Sequence, residues 1–217
     1  MKLGHYGFRG KFLDFLMSFV KDRKYFVHVN GMNSEIKTVN IGVPQGSTLG
    51  PLLFLLYIND MAYITELLQL LQFADDSTVT YSSEELDDAL TCIETEFIHI
   101  LDWLSANKLI INLNKTHLML FTNRSRPQSI SINANGHIIN EISQTKFLGV
   151  MLDNKLCWDA HTKYISQKVS KSVALISILK WTLPTKILKT LYYSMVFPYF
   201  NYCNIIWVVL QTLTYNN

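Results

Sequence analysis

The sequence predicts an α+β fold: short antiparallel strands with packed helices over residues 1–150, then a helical region over residues 151–217. Three observations carry this reading. In the first stretch the apolar spacing alternates between steps of three or four and a period of two, the repeats of helix and strand. Beyond Trp158 only the helical repeat persists. Hydrophobic residues make up 49% of the 217, enough to fill the core of one large domain or of a domain with an appendage, which argues against intrinsic disorder.

Taken in order, "RGKFLDFLMSFVKDR" puts Phe12, Phe15, Leu16, Phe19 and Val20 at helical spacing, and "KYFVHVN" then switches to β-formers. "SEIKTVNIG" reads as another strand and runs into "VPQGSTLGP", whose glycines and prolines exclude regular structure. "PLLFLLYINDM" is apolar on nearly every face, which predicts a helix packed inside the protein. "LLQLLQF" and "STVTYS" flank Ala74-Asp75-Asp76 as the strands of a β-hairpin would, with the acids at its tip. Ser82 followed by Glu85 gives a capping-box signal. Leu86, Leu90, Ile93, Phe97, Ile100, Leu101 and Leu104 then repeat as one helix face.

"LIINLNKTHLMLF" and "ISINANGHIIN" read as strands, the latter hinged at Asn135-Gly136, and "TKFLGVMLD" as a short strand pair. After Trp158, Ile165, Val169, Val173, Ile176 and Leu179 share a helical face, followed by Ile187, Leu191 and Tyr192. No repeat, low-complexity tract or Gly/Ser/Pro linker interrupts the chain.

Charge is unevenly distributed. Residues 1–107 hold 14 of the 17 acids and 7 of the 19 bases, a balance of −7, whereas residues 108–217 carry +9. An acidic half before a basic half suits a cation site beside a polyanion-binding surface; ordinary solvated helices also differ in this way. Cys92, Cys157 and Cys203 are odd in number and have no CxxC spacing, so neither a disulfide partner nor a zinc site is expected. A reducing, intracellular compartment fits, nucleus or cytoplasm. The start has no signal-peptide pattern. The uncharged stretch from Thr190 is about long enough to span a bilayer, but Pro198, Asn201 and Asn204 near its middle argue against membrane insertion.

Two adjacent carboxylates, Asp75 and Asp76, can approach one ion only at a bend, because neighbours in a flat strand point to opposite faces. Carboxylate oxygens are hard ligands suited to Mg²⁺. An Asp-Asp corner is equally the mark of a solvated turn. The stretch ahead of it, "GVPQGSTLGPLLFLLYINDM", sharpens the choice. Gly42, Gly46 and Gly50 let the backbone approach a bulky group closely, and Gln45 both donates and accepts hydrogen bonds; the alternative is a glycine-rich lead into a helix.

Together with "YGFRG" and "FADD", these motifs resemble the reverse transcriptases of non-LTR retrotransposons, the LINE or jockey-like mobile elements, from residue 6 to Trp207. The resemblance implies an incomplete polymerase palm over residues 1–150 and a thumb-like helical region over residues 151–217. It implies an RNA-directed DNA polymerase, a nucleotidyltransferase acting on an RNA template, a DNA primer and deoxynucleotides. Asp75 and Asp76 would be ligands of two Mg²⁺ ions. Pro44, Gln45 and Gly46 would lie beneath template and nucleotide. "NLNKTHLMLF" is similar to the segment after the palm helix, with Lys115 assisting pyrophosphate departure unless it is a solvated edge residue. "KFLGVMLD" is similar to the primer grip, formed by Phe147, Leu148 and Gly149, whose alternative is plain core packing.

The pattern also breaks. Such polymerases use an aspartate from an earlier palm strand, ahead of "YGFRG", and only five residues precede Tyr6. Asp14 follows that motif and lies on a helical pattern, so it is not the missing ligand. Fingers and an endonuclease are not recognisable, and "VVLQTLTYNN" departs from the basic continuation the family would show. The expectation is a fragment truncated at both ends, active only in an intact form, or a catalytically dead nucleic-acid-binding remnant.

Overall fold

The structure, a computed structural model, describes residues 2–39, 41–124 and 129–208. The chain forms two compact units, Met1–Ile111 and Asn112–Asn217. The sequence-based division after residue 150 falls within a strand of the second unit, β10 (Val150–Asp153).

The first unit opens with α1 (Lys2–His5) and α2 (Gly10–Val20). Of the predicted α2 face only Leu16 is buried, while Phe12 and Phe15 are exposed. Two nested ribbons follow: β1 (Arg23–Tyr25) pairs with β4 (Lys37–Val39) around β2 (His28–Val29) and β3 (Met32–Asn33). The inner turn is Asn30-Gly31, both at positive φ (50° and 78°), the backbone a two-residue hairpin loop of the right twist requires.

Then come α3 (Gly50–Ile58), a 3₁₀ turn (Asn59–Tyr63), the hairpin β5 (Gln69–Phe73) and β6 (Asp76–Thr80), and the long α4 (Leu86–Ala106). Lys2 ties α1, α3 and α4 together. Its ammonium donates to the Tyr57 carbonyl and to Asp60, both at 2.7 Å, and lies 4.5 Å from the Tyr57 and Trp103 ring centres.

Two expectations for this unit are corrected. Helix α3 is not enclosed: Leu53 and Ile58 are buried, but Leu52 and Leu55 are 54% and 47% exposed, because α1 and the 3₁₀ turn lie along one side of a helix that is apolar all round. The capping box of Ser82 and Glu85 does not form. Helix α4 starts at Leu86 with Glu85 itself as the extended cap residue, and Ser83 Oγ accepts from the Glu85 N–H at 3.3 Å.

In the second unit the strand expected over "LIINLNKTHLMLF" is replaced by irregular chain with a 3₁₀ turn at Leu113–Lys115 and one parallel bridge, Leu118 to Glu141. Thr116 Oγ1 bonds to the Asn112 carbonyl at 3.0 Å, a local side-chain bond that competes with a ladder. The ribbon β7 (Ser131–Ala134) and β8 (His137–Asn140) turns at Asn135-Gly136 as predicted, burying Ile132, Ala134 and Ile139. A second ribbon joins β9 (Gln144–Phe147) to β10, and α5 (Asp159–Leu179), α6 (Thr185–Met195) and α7 (Phe197–Asn201) complete the unit. Val173, which shares the predicted apolar face of α5 with Ile165, is exposed.

Val150, Trp158, Ile165 and Trp207 form the buried cluster, with Leu152, Tyr164, Val169 and Tyr199 packed against it. The antiparallel pairing expected of the body is thus present as separate two-stranded ribbons, helices are interspersed, and the class is α+β. Among the described residues no helix is long and apolar enough to cross a membrane, and Cys92, Cys157 and Cys203 are free thiols; residues 209–217 lie outside the description.

Candidate functional site

The hairpin β5–β6 ends in the register Phe73 to Asp76, so Ala74 and Asp75 alone make the loop. Asp76 is the first residue of β6, and both acids are exposed. Ala74 has φ 52°, in the left-handed region that glycine enters freely and that costs another residue about 1 kcal/mol or more. Strained backbone thus sits immediately beside the two carboxylates. Mg²⁺ takes hard oxygen donors and keeps waters and substrate oxygens in its remaining positions, so the pair fits in kind. It falls short in number, since no group of three potential ligands occurs among the described residues. Asp14 stands exposed on α2, as its helical pattern predicted.

The loop before α3 is built by hydrogen bonds that sequence reading did not foresee. Ser47 Oγ donates to the Pro44 carbonyl at 2.6 Å and accepts from the Gly50 N–H at 3.1 Å, fastening the 44–47 turn onto the first turn of α3. Gly50 is required here. A Cβ in its place would lie 2.8 Å from Ser47 Oγ and 3.0 Å from the Pro44 carbonyl oxygen. Gly46 has φ 75°, and Gln45 and Gly46 are left exposed while Pro44 is half-buried. At the loop's start the Arg23 guanidinium donates to the Ile41 and Gly42 carbonyls at 3.1 and 2.6 Å. A Ser three residues ahead of a helical Gly was the available signal.

Phe147, Leu148 and Gly149 come together at the β9–β10 turn. Leu148 and Gly149 are its two loop residues, with φ 44° and 90°. Phe147 is half-buried and Leu148 is exposed, so Leu148 is no core residue. Tyr202, which sequence reading did not single out, donates to the Leu148 carbonyl at 2.6 Å. Lys115 ends its own 3₁₀ turn, exposed, and not at the start of a strand.

Asp153 was also missed. Its Oδ1 accepts from the Lys155 and Cys157 N–H groups at 3.0 and 3.1 Å, and its Oδ2 from the Trp158 N–H at 3.1 Å. It thereby holds Leu156 and Trp158 at positive φ and sets the start of α5. His161 is buried beside Trp207, ring centres 5.3 Å apart, and its Nδ1 accepts from the Met151 N–H at 3.2 Å. Burial lowers its pKa.

Residues 9–152, which take in both the acidic hairpin and the loop ahead of α3, match the reverse transcriptase (RNA-dependent DNA polymerase) family, and the chain belongs to that family. Its similarity runs to polymerases of mobile elements in Drosophila melanogaster. It is 31% identical to the RNA-directed DNA polymerase from mobile element jockey over 75% of this chain and 18% of that protein. It is 30% identical to the probable RNA-directed DNA polymerase from transposon BS over 93% of this chain and 23% of the relative. With the corresponding protein of transposon X-element the identity is 32%, over 88% and 22%. The resemblance to non-LTR retrotransposon reverse transcriptases drawn from the motifs is borne out. The chain spans about a fifth of the length of the curated relatives it matches. No solved structure matches it significantly.

Proposed function

We propose that this chain is the part of a mobile element's RNA-directed DNA polymerase that carries two catalytic carboxylates, the loop beneath template and nucleotide, and the grip on the primer end. The observation that carries the reading is the β5–β6 tip, where a two-residue loop with Ala74 at φ 52° presents Asp75 and Asp76 next to each other and exposed.

The reaction joins the primer 3′-oxygen to the α-phosphorus of a deoxynucleotide as the bond to the β-phosphate breaks, releasing pyrophosphate and the hydroxyl proton. Mg²⁺ ions held by Asp75, Asp76 and a further carboxylate from outside the described residues would activate the 3′-hydroxyl and stabilise the leaving pyrophosphate. Gln45 and Gly46 offer donors, acceptors and bare backbone toward the base pair. Phe147, Leu148 and Gly149 hold the primer end by packing. Lys115 supplies positive charge where pyrophosphate departs. Residues 1–150 serve as palm and residues 151–217 as thumb, in an intracellular setting, nucleus or cytoplasm.

The test is a protein in which this chain is joined to a palm segment supplying a further Asp. It should extend a DNA primer on RNA, and Asp75→Asn should abolish extension, because the amide keeps the shape and loses the charge that holds the metal. Extension indifferent to Asp75→Asn would return this corner to an ordinary turn. In the same protein Lys115→Ala should lower the single-turnover rate more than nucleotide affinity.

A second reading, a nucleic-acid-binding remnant without catalysis, is favoured by one observation: the described residues hold no group of three potential metal ligands. Binding of primer–template that weakens steeply with salt, with no extension even when the chain is joined to a segment supplying the further Asp, supports it.

A further inference from the structure

Three of the four tryptophans are buried, Trp103 at 8%, Trp158 at 2% and Trp207 at 7% exposure, whereas Trp181 is 83% exposed. It stands in the turn between α5 and α6, and the Lys180 ammonium lies 4.8 Å from its ring centre. The turn is rigidly made. Lys180 N–H bonds to the Ile176 carbonyl, and the Thr182 and Leu183 N–H groups to the Leu179 carbonyl, each at 3.0 Å.

Trp181 also ends a stripe. Tyr164, Lys168, Lys171, Leu175 and Ile178 precede it at steps of four and three, the spacing that aligns side chains along one helix face. Tyr164 anchors its start, half-buried and stacked beside His161 with ring centres 6.4 Å apart, while the rest turns away from that buried face: Lys168 and Lys171 are exposed, and Ile178 is 70% exposed. At the far end Lys146 of β9 donates to Tyr164 Oη at 3.2 Å and lies 5.0 Å from that ring's centre, with Lys168 at 5.8 Å from it. No acidic residue follows Asp159 in the whole sequence, while six lysines do. From Tyr164 to Trp181 the stripe runs about 25 Å at the helical rise.

We propose that this stripe binds an unpaired RNA strand, with Lys146, Lys168 and Lys171 following its phosphates and Trp181 stacking on a base. Lysines leading to an exposed aromatic ring suit a single strand, since each base offers a π-face and the backbone a regular negative charge. A duplex covers its base faces and leaves the indole without a partner. An acid-free surface selects a polyanion over an apolar protein helix. The assignment rests on the polymerase reading only in naming RNA as the strand: in that reaction the template is the polymer that exists unpaired.

The experiment titrates the full chain with a twelve-nucleotide oligo(U) and, separately, with an RNA–DNA hybrid, reading anisotropy and tryptophan emission. Oligo(U) should quench the emission, and Trp181→Ala should weaken its binding about tenfold, the scale of one lost base–aromatic stack. Hybrid affinity should stay within about twofold, and Trp181→Phe should keep most of the oligo(U) affinity. Lys168→Ala with Lys171→Ala should flatten the salt dependence. If the hybrid binds and oligo(U) does not, or Trp181→Ala leaves oligo(U) unaffected, the inference falls and the polymerase reading stands. If neither nucleic acid binds, both fall. Tighter binding of oligo(dT) than of oligo(U) overturns the choice of RNA. Trp181-dependent binding to phosphatidylserine vesicles or self-association, with oligo(U) binding unchanged, gives the face to another occupant.

Discussion

Tyr202 donates its phenolic hydrogen to the carbonyl of Leu148 across 2.6 Å, and the same ring would lie 3.3 Å from a Cβ placed on Gly149. A side chain at the end of α7 thus closes over the loop of the β9–β10 ribbon. Partial desolvation, and secondarily the Cys203 thiol, raise the phenol's pKa above its ordinary value.

Gly149→Ala should therefore destabilise the second unit by about 1–2 kcal/mol, since φ 90° disfavours a side chain and the tyrosine ring crowds it. Tyr202→Phe, which keeps the ring and removes one hydrogen bond, should have a smaller effect in the same direction. Urea unfolding of the two variants checks both the direction and the order.

Asp153→Ala should cost about 2–3 kcal/mol, because one carboxylate accepts from three backbone N–H groups that hold positive-φ residues before α5. Asp153→Asn, which keeps one acceptor oxygen, should fall between that variant and the parent in thermal unfolding.

His161 makes the second unit's stability depend on pH. Burial holds its folded pKa below the usual 6.5, so between those two values the unfolded chain binds a proton that the folded one excludes. Its contribution is complete above the unfolded pKa and is lost as pH falls through the lowered folded value. Melting temperatures should be level above neutrality and decline below about pH 6.5, and His161→Gln should flatten the decline.

Gly50→Ala should displace the 44–47 turn, because the added methyl meets the Pro44 carbonyl as well as Ser47 Oγ and a carbonyl cannot swing aside. A loss of about 1–3 kcal/mol is expected, readable in chemical unfolding of the first unit.

Asp75 and Asp76 should bind Mg²⁺ only weakly in this chain, since two exposed carboxylates offset little of an ion's lost hydration. Isothermal titration should detect little heat, and Asp75→Asn should remove what is there.

Much of the fold was legible because it is periodic or local. Helices α2, α4 and α5 follow apolar spacing, the Asn135-Gly136 turn sits where flanking alternation put it, and the corner expected at Ala74-Asp75-Asp76 is tighter by one residue, since Asp76 already pairs with Phe73. Asn30-Gly31 carries the same hairpin signal, yet composition reads "KYFVHVN" as a single strand ending at Asn30, because the ribbon that turn closes is only two residues deep. The 3₁₀ turn at Leu113–Lys115 escaped because a local bond from Thr116 Oγ1 to the Asn112 carbonyl outweighs β-forming neighbours. Of the candidate site, the residue types and the turns were legible. Ser47 and Tyr202 were not, because a single hydrogen bond to a carbonyl leaves no period, and Tyr202 meets Leu148 from 54 residues away.

Among the described residues, four of the five ribbons join strands that are immediate neighbours in the chain, and the remaining pair, β1 with β4, encloses one of them. None of these described strands has to wait for a distant partner, so the contact order of the pairing is low and each ribbon can close on the microsecond scale of an isolated hairpin. Such ribbons gain little from one another's formation. A stopped-flow refolding trace should begin with a fast phase reporting strand closure, ahead of the slower docking of α7 that brings Tyr202 to its loop.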